Sequence, residues 1–137
     1  MHFLDTNVLM YSISPDPAEA RKRDRAIALL DDDAGAISVQ VLQEFYTQVT
    51  RLTRPRPISC DDAEALIERW MRFPVQPMTL QVFKSALQFQ KRYGFLYWDC
   101  AILAAARALA CRRVYTEGMS HGQIVEGMTV VNPFHDC

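Results

Sequence analysis

Between Trp98 and Cys111 the chain reads WDCAILAAARALAC, and Asp99 and Arg107 are the only polar side chains in those fourteen positions. A surface helix needs a polar face, so this segment predicts a helix buried nearly all round. Thr79 to Tyr93 is divided more cleanly. Gln81, Lys84, Ser85, Gln88, Lys91 and Arg92 share one arc, and apolar positions such as Leu80, Val82, Phe83 and Phe89 fill almost half of the helical wheel. That half is wider than the stripe of about 100° needed for one core contact. It fits either interhelical packing or a partner groove or dimer seam, together with Trp70 and Phe73 upstream. A third helix is predicted over 39–52, VQVLQEFYTQVTRL, because Val41, Leu42, Phe45, Val49 and Leu52 fall within one arc. The RPRP run that follows stops it.

Shorter apolar runs alternate with these helices. HFLDTN predicts a brief buried strand ending in a polar turn, GAIS a second strand, and RRVYT and MTVVN two late ones. NVLMYSI starts a helix after the first strand. Residues 17–32 form another, with Pro17 near its first turn and an Ile27, Leu30 pair. Residues 60–72 follow, with Ser59 three positions before Asp62 in a weak capping-box pattern, and PVQPM is extended. Short strands separated by helices predict an α/β fold, a three-layer α/β/α sandwich with a mainly parallel central sheet. No repeat or linker divides 1–137, so one domain is expected.

The totals narrow the class further. At 137 residues the chain is long enough to bury close to ~70% of its unfolded surface, and 50% hydrophobic with 23% charged content excludes a disordered or low-complexity chain. No apolar run reaches the ~20 residues of a membrane helix, and the first residues lack a basic, cleavable leader, so a cytoplasmic protein without membrane attachment is expected. The net charge of −1 gives no global field for polyanions. Basic residues do cluster locally, at 21–25 and at Arg51, Arg54 and Arg56, against acidic clusters at 31–33 and 61–64. Cys60, Cys100, Cys111 and Cys137 have no zinc or redox spacing. Cys100 and Cys111, on one helix, would be about 16 Å apart, beyond the ~7 Å limit for a disulfide, so reduced thiols are expected.

In open parallel sheets a ligand sits beyond the carboxyl ends of the strands. Four acids are candidates for that edge: Asp5 after the first strand, Glu44 about two turns after the second, Asp99 at the start of the buried helix, and Glu117 after a late strand. Each has a plain structural role open to it: Asp5 as a helix cap, Glu44 and Glu117 as solvated acids, Asp99 as a charge favoured in a first helical turn. Asp99 is the hardest to explain that way, because a carboxylate in so apolar a setting has to be paired or bind a cation. Gathered together, the acids would repel and demand a counter-charge. Carboxylate and water ligands suit Mg²⁺ or Mn²⁺, and such a site points to phosphodiester hydrolysis.

FLDTNVL, SVQVLQEFY, YWDCAILAAA and VYTEGMSHGQIVEGMTVVNPF, in this order and spacing, resemble a PIN domain, most closely the VapC-type toxins of prokaryotic toxin–antitoxin pairs. The resemblance spans essentially the whole chain. It implies a parallel sheet flanked by helices, Mg²⁺ or Mn²⁺ dependence, endoribonuclease activity, a homodimer, and inhibition by a cognate antitoxin. Asp5, Glu44 and Asp99 match its metal-binding acids, with Glu117 as a further candidate. Thr6, Asn7 and Thr116 match residues around them, Asn7 being placed to orient Asp5 or a bound water through its amide. The fourth acid of the pattern belongs at 118, where this chain has glycine. If 115–118 stay extended, Thr116 and position 118 share one face and Glu117 points the other way, so Glu117 could substitute only through a local bulge. A weakened metal site follows.

Arg51, Arg54 and Arg56 lie where RNA phosphates along that edge would be met, and single-stranded or loop RNA suits a narrow cleft better than duplex. Two other readings stay open. One is a catalytically silent PIN fold acting as a binding or regulatory protein, encouraged by Gly118. The other is a receiver-like phosphate-handling domain, which wants a lysine after a late strand; none stands near 116–123.

Overall fold

The computed structural model describes residues 1–137. Its most apolar segment is helix α6 (Tyr97–Ala108), in which every residue from Cys100 to Ala106 is buried. A helix without a polar stripe must be covered on several sides. Here α5 (Leu80–Tyr93) covers one side, and strands β2 (Gly35–Ser38) and β3 (Val75–Gln76) touch another.

The remaining strands are β1 (His2–Leu4), β4 (Arg113–Tyr115), β5 (Ile124–Val125) and β6 (Met128–Val131), and the sheet order is β3-β2-β1-β4-β6-β5. All neighbours are parallel except β5 and β6. Helices α1 (Thr6–Ser12), α2 (Ala20–Asp31), α3 (Val39–Val49) and α4 (Cys60–Trp70) form a second packed group, α1 against α2 and α3, and α3 against α4. This is the expected layered α/β architecture with a mostly parallel sheet. Register decides what reaches its edge. Leu4 pairs with Tyr115 and Tyr115 with Val131, so the turns after β1 and β4 leave the sheet side by side.

Side chains at the strand–helix junctions satisfy backbone donors that a helix start leaves free. Ser38 accepts from Val41 N at the start of α3, Ser59 from Asp62 N at α4, and Thr79 from Val82 N at α5. Gly94, with φ of 71°, takes the left-handed turn that ends α5. All four cysteines are free thiols.

Several details depart from the pattern-based expectation. Helix α3 stops at Val49, and Leu52, expected on its core arc, is 89% exposed; the chain has already turned toward the prolines. A 3-10 turn at Pro17–Glu19 precedes α2, whose Ile27 faces outward. Trp70 and Phe73 are buried, so they belong to the core and not to a seam; the Trp70 ring packs edge-on against Phe45 at 4.7 Å between centroids. The wide apolar half of α5 divides in two: Val82, Ala86 and Phe89 are buried, while Leu80, Phe83 and Leu87 are exposed. Strand β5 was not expected. It pairs with β6 through the two-residue turn Glu126–Gly127, both at positive φ. That geometry matches right-handed strand twist, and the glycine in the second turn position was the available signal.

Gly35 starts β2 because no side chain fits there: a Cβ would lie 2.9 Å from Cε1 of the buried Phe73 and 3.1 Å from Leu4 Cδ1. Gly35→Ala is expected to lower stability by about 1–3 kcal/mol in urea unfolding, and combining it with Phe73→Leu to recover part of that loss. Purely additive losses would contradict this packing account.

Candidate active site

Asp5 follows β1 directly. Its backbone N–H donates to Tyr115 O at 3.0 Å, fixing it at the β1/β4 edge. One carboxylate oxygen accepts from Thr6 N at 2.7 Å, so the capping role exists; the other accepts from Thr116 Oγ1 at 2.8 Å. Capping and facing the next strand's turn are thus done by the same side chain. The Thr116 hydroxyl, fully buried, also accepts from Gly118 N at 3.0 Å and Asn7 Nδ2 at 3.4 Å. One donor and two acceptor positions are all in use.

Glu44 reaches the same region from α3. Thr6 Oγ1 donates to its Oε2 at 2.6 Å and Gln40 Nε2 to its Oε1 at 2.8 Å. Gln40 Nε2 also donates to Trp98 O at 3.3 Å, tying α3 to the start of α6 beside Asp99. Gln40 was not singled out in the sequence. Its only signal is its position one helical turn before Glu44, on the same face.

Asp99 differs from both. Neither a hydrogen bond nor a cation supports its half-buried carboxylate, and burial, followed by the negative charge of Glu44, pushes its pKa up. Burial also pushes Asp5 up, to about 6, against the hydrogen bonds from Thr116 and Thr6 and with the charges of Glu44 and Asp99 adding to the rise. The fold therefore brings Asp5, Glu44 and Asp99 close enough to repel one another.

Glu117 does not join them. Its carboxylate accepts from Tyr11 Oη at 2.6 Å and pairs with Lys22 Nζ at 2.8 Å. Burial pushes its pKa up, but the hydrogen bonds from Lys22 and Tyr11 outweigh this and hold it below the ordinary value. This corrects the expected acid set. Strand β4 ends at Tyr115, and 117–119 bend away from it, with Gly118 N turned back onto Thr116 Oγ1; the Glu117 side chain is taken up by Tyr11 and Lys22 instead of facing the other acids. A lysine absent from the sequence neighbourhood is supplied by α2. Asn7 accepts from Glu117 N at 3.3 Å and donates to Thr116, so it links the two groups and orients Asp5 only through Thr116.

Gly118 leaves space. Its φ is not in the left-handed region, and a Cβ there would meet only Thr116 Oγ1, at 3.7 Å. The backbone does not require glycine. Arg51, Arg54 and Arg56 line a groove of about 550 Å³ together with Asp16 and Glu19. An adjoining groove of about 240 Å³ runs from Asn7 past Tyr11 to the same Arg54. Of the three arginines, Arg54 thus connects to the turn after β1.

The residues fit a hard divalent cation in chemistry. Three carboxylates lack a positive partner, two of them pushed up in part by the charge of Glu44, and the buried Gln40 Oε1 has no hydrogen-bond donor, a need that a coordinated water meets. As the side chains stand, no three acidic, imidazole or thiol groups converge closely enough to hold one ion; two of the acids are turned onto the Thr6 and Thr116 hydroxyls.

In a mostly parallel α/β sheet the ligand site lies beyond the carboxyl ends of the strands, the edge toward which Asp5, Glu44 and Asp99 are carried by three different elements. The PIN domain family model matches residues 2–121; the chain belongs to that family. The fold is similar to a toxin–antitoxin complex from Klebsiella pneumoniae, with a TM-score of 0.72 and 17% identity over 97% of this chain and 98% of that one. It is also similar to VapC20 of Mycobacterium tuberculosis, a sarcin–ricin loop cleaving toxin (TM-score 0.66, 20% identity, 86% and 91% covered), and to FitAcB from Neisseria gonorrhoeae (0.63, 23%, 98% and 99%). No curated protein sequence matches significantly. No helix is long and apolar enough to cross a membrane.

The raised Asp5 value fixes a pH dependence. An unfolded aspartate titrates near ~3.9, so between there and about 6 the folded chain holds a proton that the unfolded chain has released. The stability this group contributes is full below about pH 4 and is lost as pH rises through about 6. Asp5→Asn is expected to stabilise the metal-free protein by roughly 1–3 kcal/mol at pH 7.5 and much less at pH 4, read by urea unfolding in EDTA. A gain of equal size at both pH values would contradict it.

Proposed function

We propose that this protein is a divalent-metal-dependent endoribonuclease, with Mg²⁺ or Mn²⁺ held by Asp5, Glu44 and Asp99. The observation that carries this is Asp99, a half-buried carboxylate with no partner, repelled by Glu44. Such a group is costly unless a cation is its missing partner. When bound, the cation would neutralise charge on a phosphate under attack and make water more acidic.

The chain's own residues then have distinct work. Thr6 and Gln40 hold the two oxygens of Glu44, and Thr116, itself held by Asn7, aims Asp5. Arg51, Arg54 and Arg56 line one groove, and Arg54 also lines the adjoining one that reaches Asn7, a path on which phosphates of single-stranded or loop RNA would be neutralised. Glu117 stays outside the metal set while Lys22 and Tyr11 bind it. With three acids and Gly118, one cation completed by water is favoured over two.

The fold's likeness to toxin–antitoxin proteins supports the toxin of such a pair, acting in the cytoplasm and inhibited by a cognate antitoxin. The 1–137 chain would act as one domain and pair as a homodimer through the exposed Leu80, Phe83 and Leu87 row on α5. A second reading, a catalytically silent binding protein of the same fold, is favoured by the absent acid at 118.

An RNA cleavage assay with Mn²⁺ separates the two. Asp99→Asn is expected to lower the rate by at least about 10²-fold, and Gly118→Asp, for which there is room, to raise both metal affinity and rate by about tenfold. No cleavage by either the parent chain or Gly118→Asp would favour the silent protein. Replacing Arg51, Arg54 and Arg56 together with glutamine is expected to reduce the slope of log affinity against log salt by about 2 for single-stranded RNA; an unchanged slope would clear them.

A further inference from the structure

Beside Asp99 lies a cavity of about 320 Å³ that the groups discussed so far do not fill. Its volume is at the small end of ligand sites, roughly 300 Å³ upward, which suits one flat heterocycle. Phe95, Leu96, Met119 and Val125 supply apolar walls, and Ser120 and Gln123 the polar part. The Phe95 ring is held by stacking on Tyr93, 5.3 Å between centroids and 8° from parallel. Gln123 N donates to Ser120 O, and this turn places both side chains on the cavity. Neither side chain makes a hydrogen bond within the chain. Gly118 also lines the cavity; a Cβ there would make only ordinary contact with Thr116 Oγ1, at 3.7 Å, so a long side chain at 118 would occupy cavity volume without a clash at its base.

We propose that this cavity receives a single nucleobase of the RNA, next to the bond being cut, with the apolar walls against its faces and Gln123 and Ser120 reading its edge. The identity of the ligand rests on the ribonuclease reading; the cavity's chemistry does not. Extruded bases are bound in this manner, between apolar or aromatic side chains with hydrogen bonds to an edge, and a glutamine amide, donor and acceptor together, suits adenine best. An arginine from a protein partner could pair with Asp99, the one carboxylate here without a partner, but would leave the apolar walls and the Gln123 amide unused; the test below separates the two. Gly118 then has a positive role. The side chain that would have been a fourth acid is exchanged for room to seat a base, so selectivity is gained where metal affinity is lost.

The test is an NMR titration of the ¹⁵N-labelled protein with the four nucleoside 5′-monophosphates in EDTA, following the Gly118 amide and the Gln123 side-chain amide. One monophosphate is expected to shift both signals saturably. Gly118→Leu should weaken that binding about tenfold, and Gln123→Ala should remove the preference among the four bases, each variant keeping the parent spectrum elsewhere. No shift with any monophosphate, or binding unchanged in both variants, overturns the proposal. Arginine methyl ester shifting the two signals when no nucleotide does would also overturn it, assigning the cavity to a protein side chain. Binding is read without metal or turnover, so nucleotide binding without RNA cleavage supports the cavity assignment while removing the nuclease reading. Cleavage without nucleotide binding, at cut sites unchanged by Gln123→Ala, does the reverse.

Discussion

Like charges meeting at the end of a parallel sheet are the constraint around which this molecule is organised. Asp5, Glu44 and Asp99 come from β1's end, from α3 and from α6; Glu44 raises the cost of ionising Asp5 and Asp99, and Asp99 adds to that of Asp5. The chain answers with hydrogen bonds, not with a cation: Thr116 and Thr6 N on Asp5, Thr6 Oγ1 and Gln40 on Glu44. Those donors moderate the repulsion without abolishing it, since a hydroxyl offsets less charge than an ion. Asp99 receives nothing. An edge built this way is strained toward binding positive charge, and that tension links the fold to the metal-dependent chemistry proposed for it.

Lys22 serves a different carboxylate. Lys22 reaches from α2 to Glu117 and Tyr11, and the pairing keeps both the positive charge and the adjacent carboxylate off the acidic edge. Asn7 couples the two arrangements through the Glu117 backbone and the Thr116 hydroxyl. Residues 116–118 therefore divide the work of this bend: Thr116 supports Asp5, Glu117 fastens the turn to α1 and α2, and Gly118 opens space toward Asp99.

The exposed part of α5 follows from the same economy of faces. Covering α6 occupies Val82, Ala86 and Phe89 and leaves Leu80, Phe83 and Leu87 outside. Around Trp98, 65% exposed, the ring of Tyr97 bridges between it and Phe83. An aromatic and aliphatic surface thus begins one residue before a proposed metal ligand. The two uses of this helix pair, core and surface, are segregated by helical periodicity alone.

Much of this was legible from residues alone. The buried α6, the clean wheel of α5, the α/β alternation and the isolated charge of Asp99 follow from local pattern, because periodicity and a lone charge in an apolar run are properties of short segments; Asp5 and Glu44, each with a plain structural role open to it, were singled out with Asp99 by the family resemblance. Tertiary structure decided the rest, because those facts depend on partners distant in sequence. Lys22 finds Glu117 across 95 positions and Tyr11 finds it across 106; no local signal carries such a pairing. Trp70 and Phe73 moved from an imagined seam to the core because the room they fill is made by Phe45 and Gly35. The vacancy at Gly118 could be read as a missing acid from the chain, but as a cavity wall only once Phe95, Gln123 and Asp99 had been folded around it.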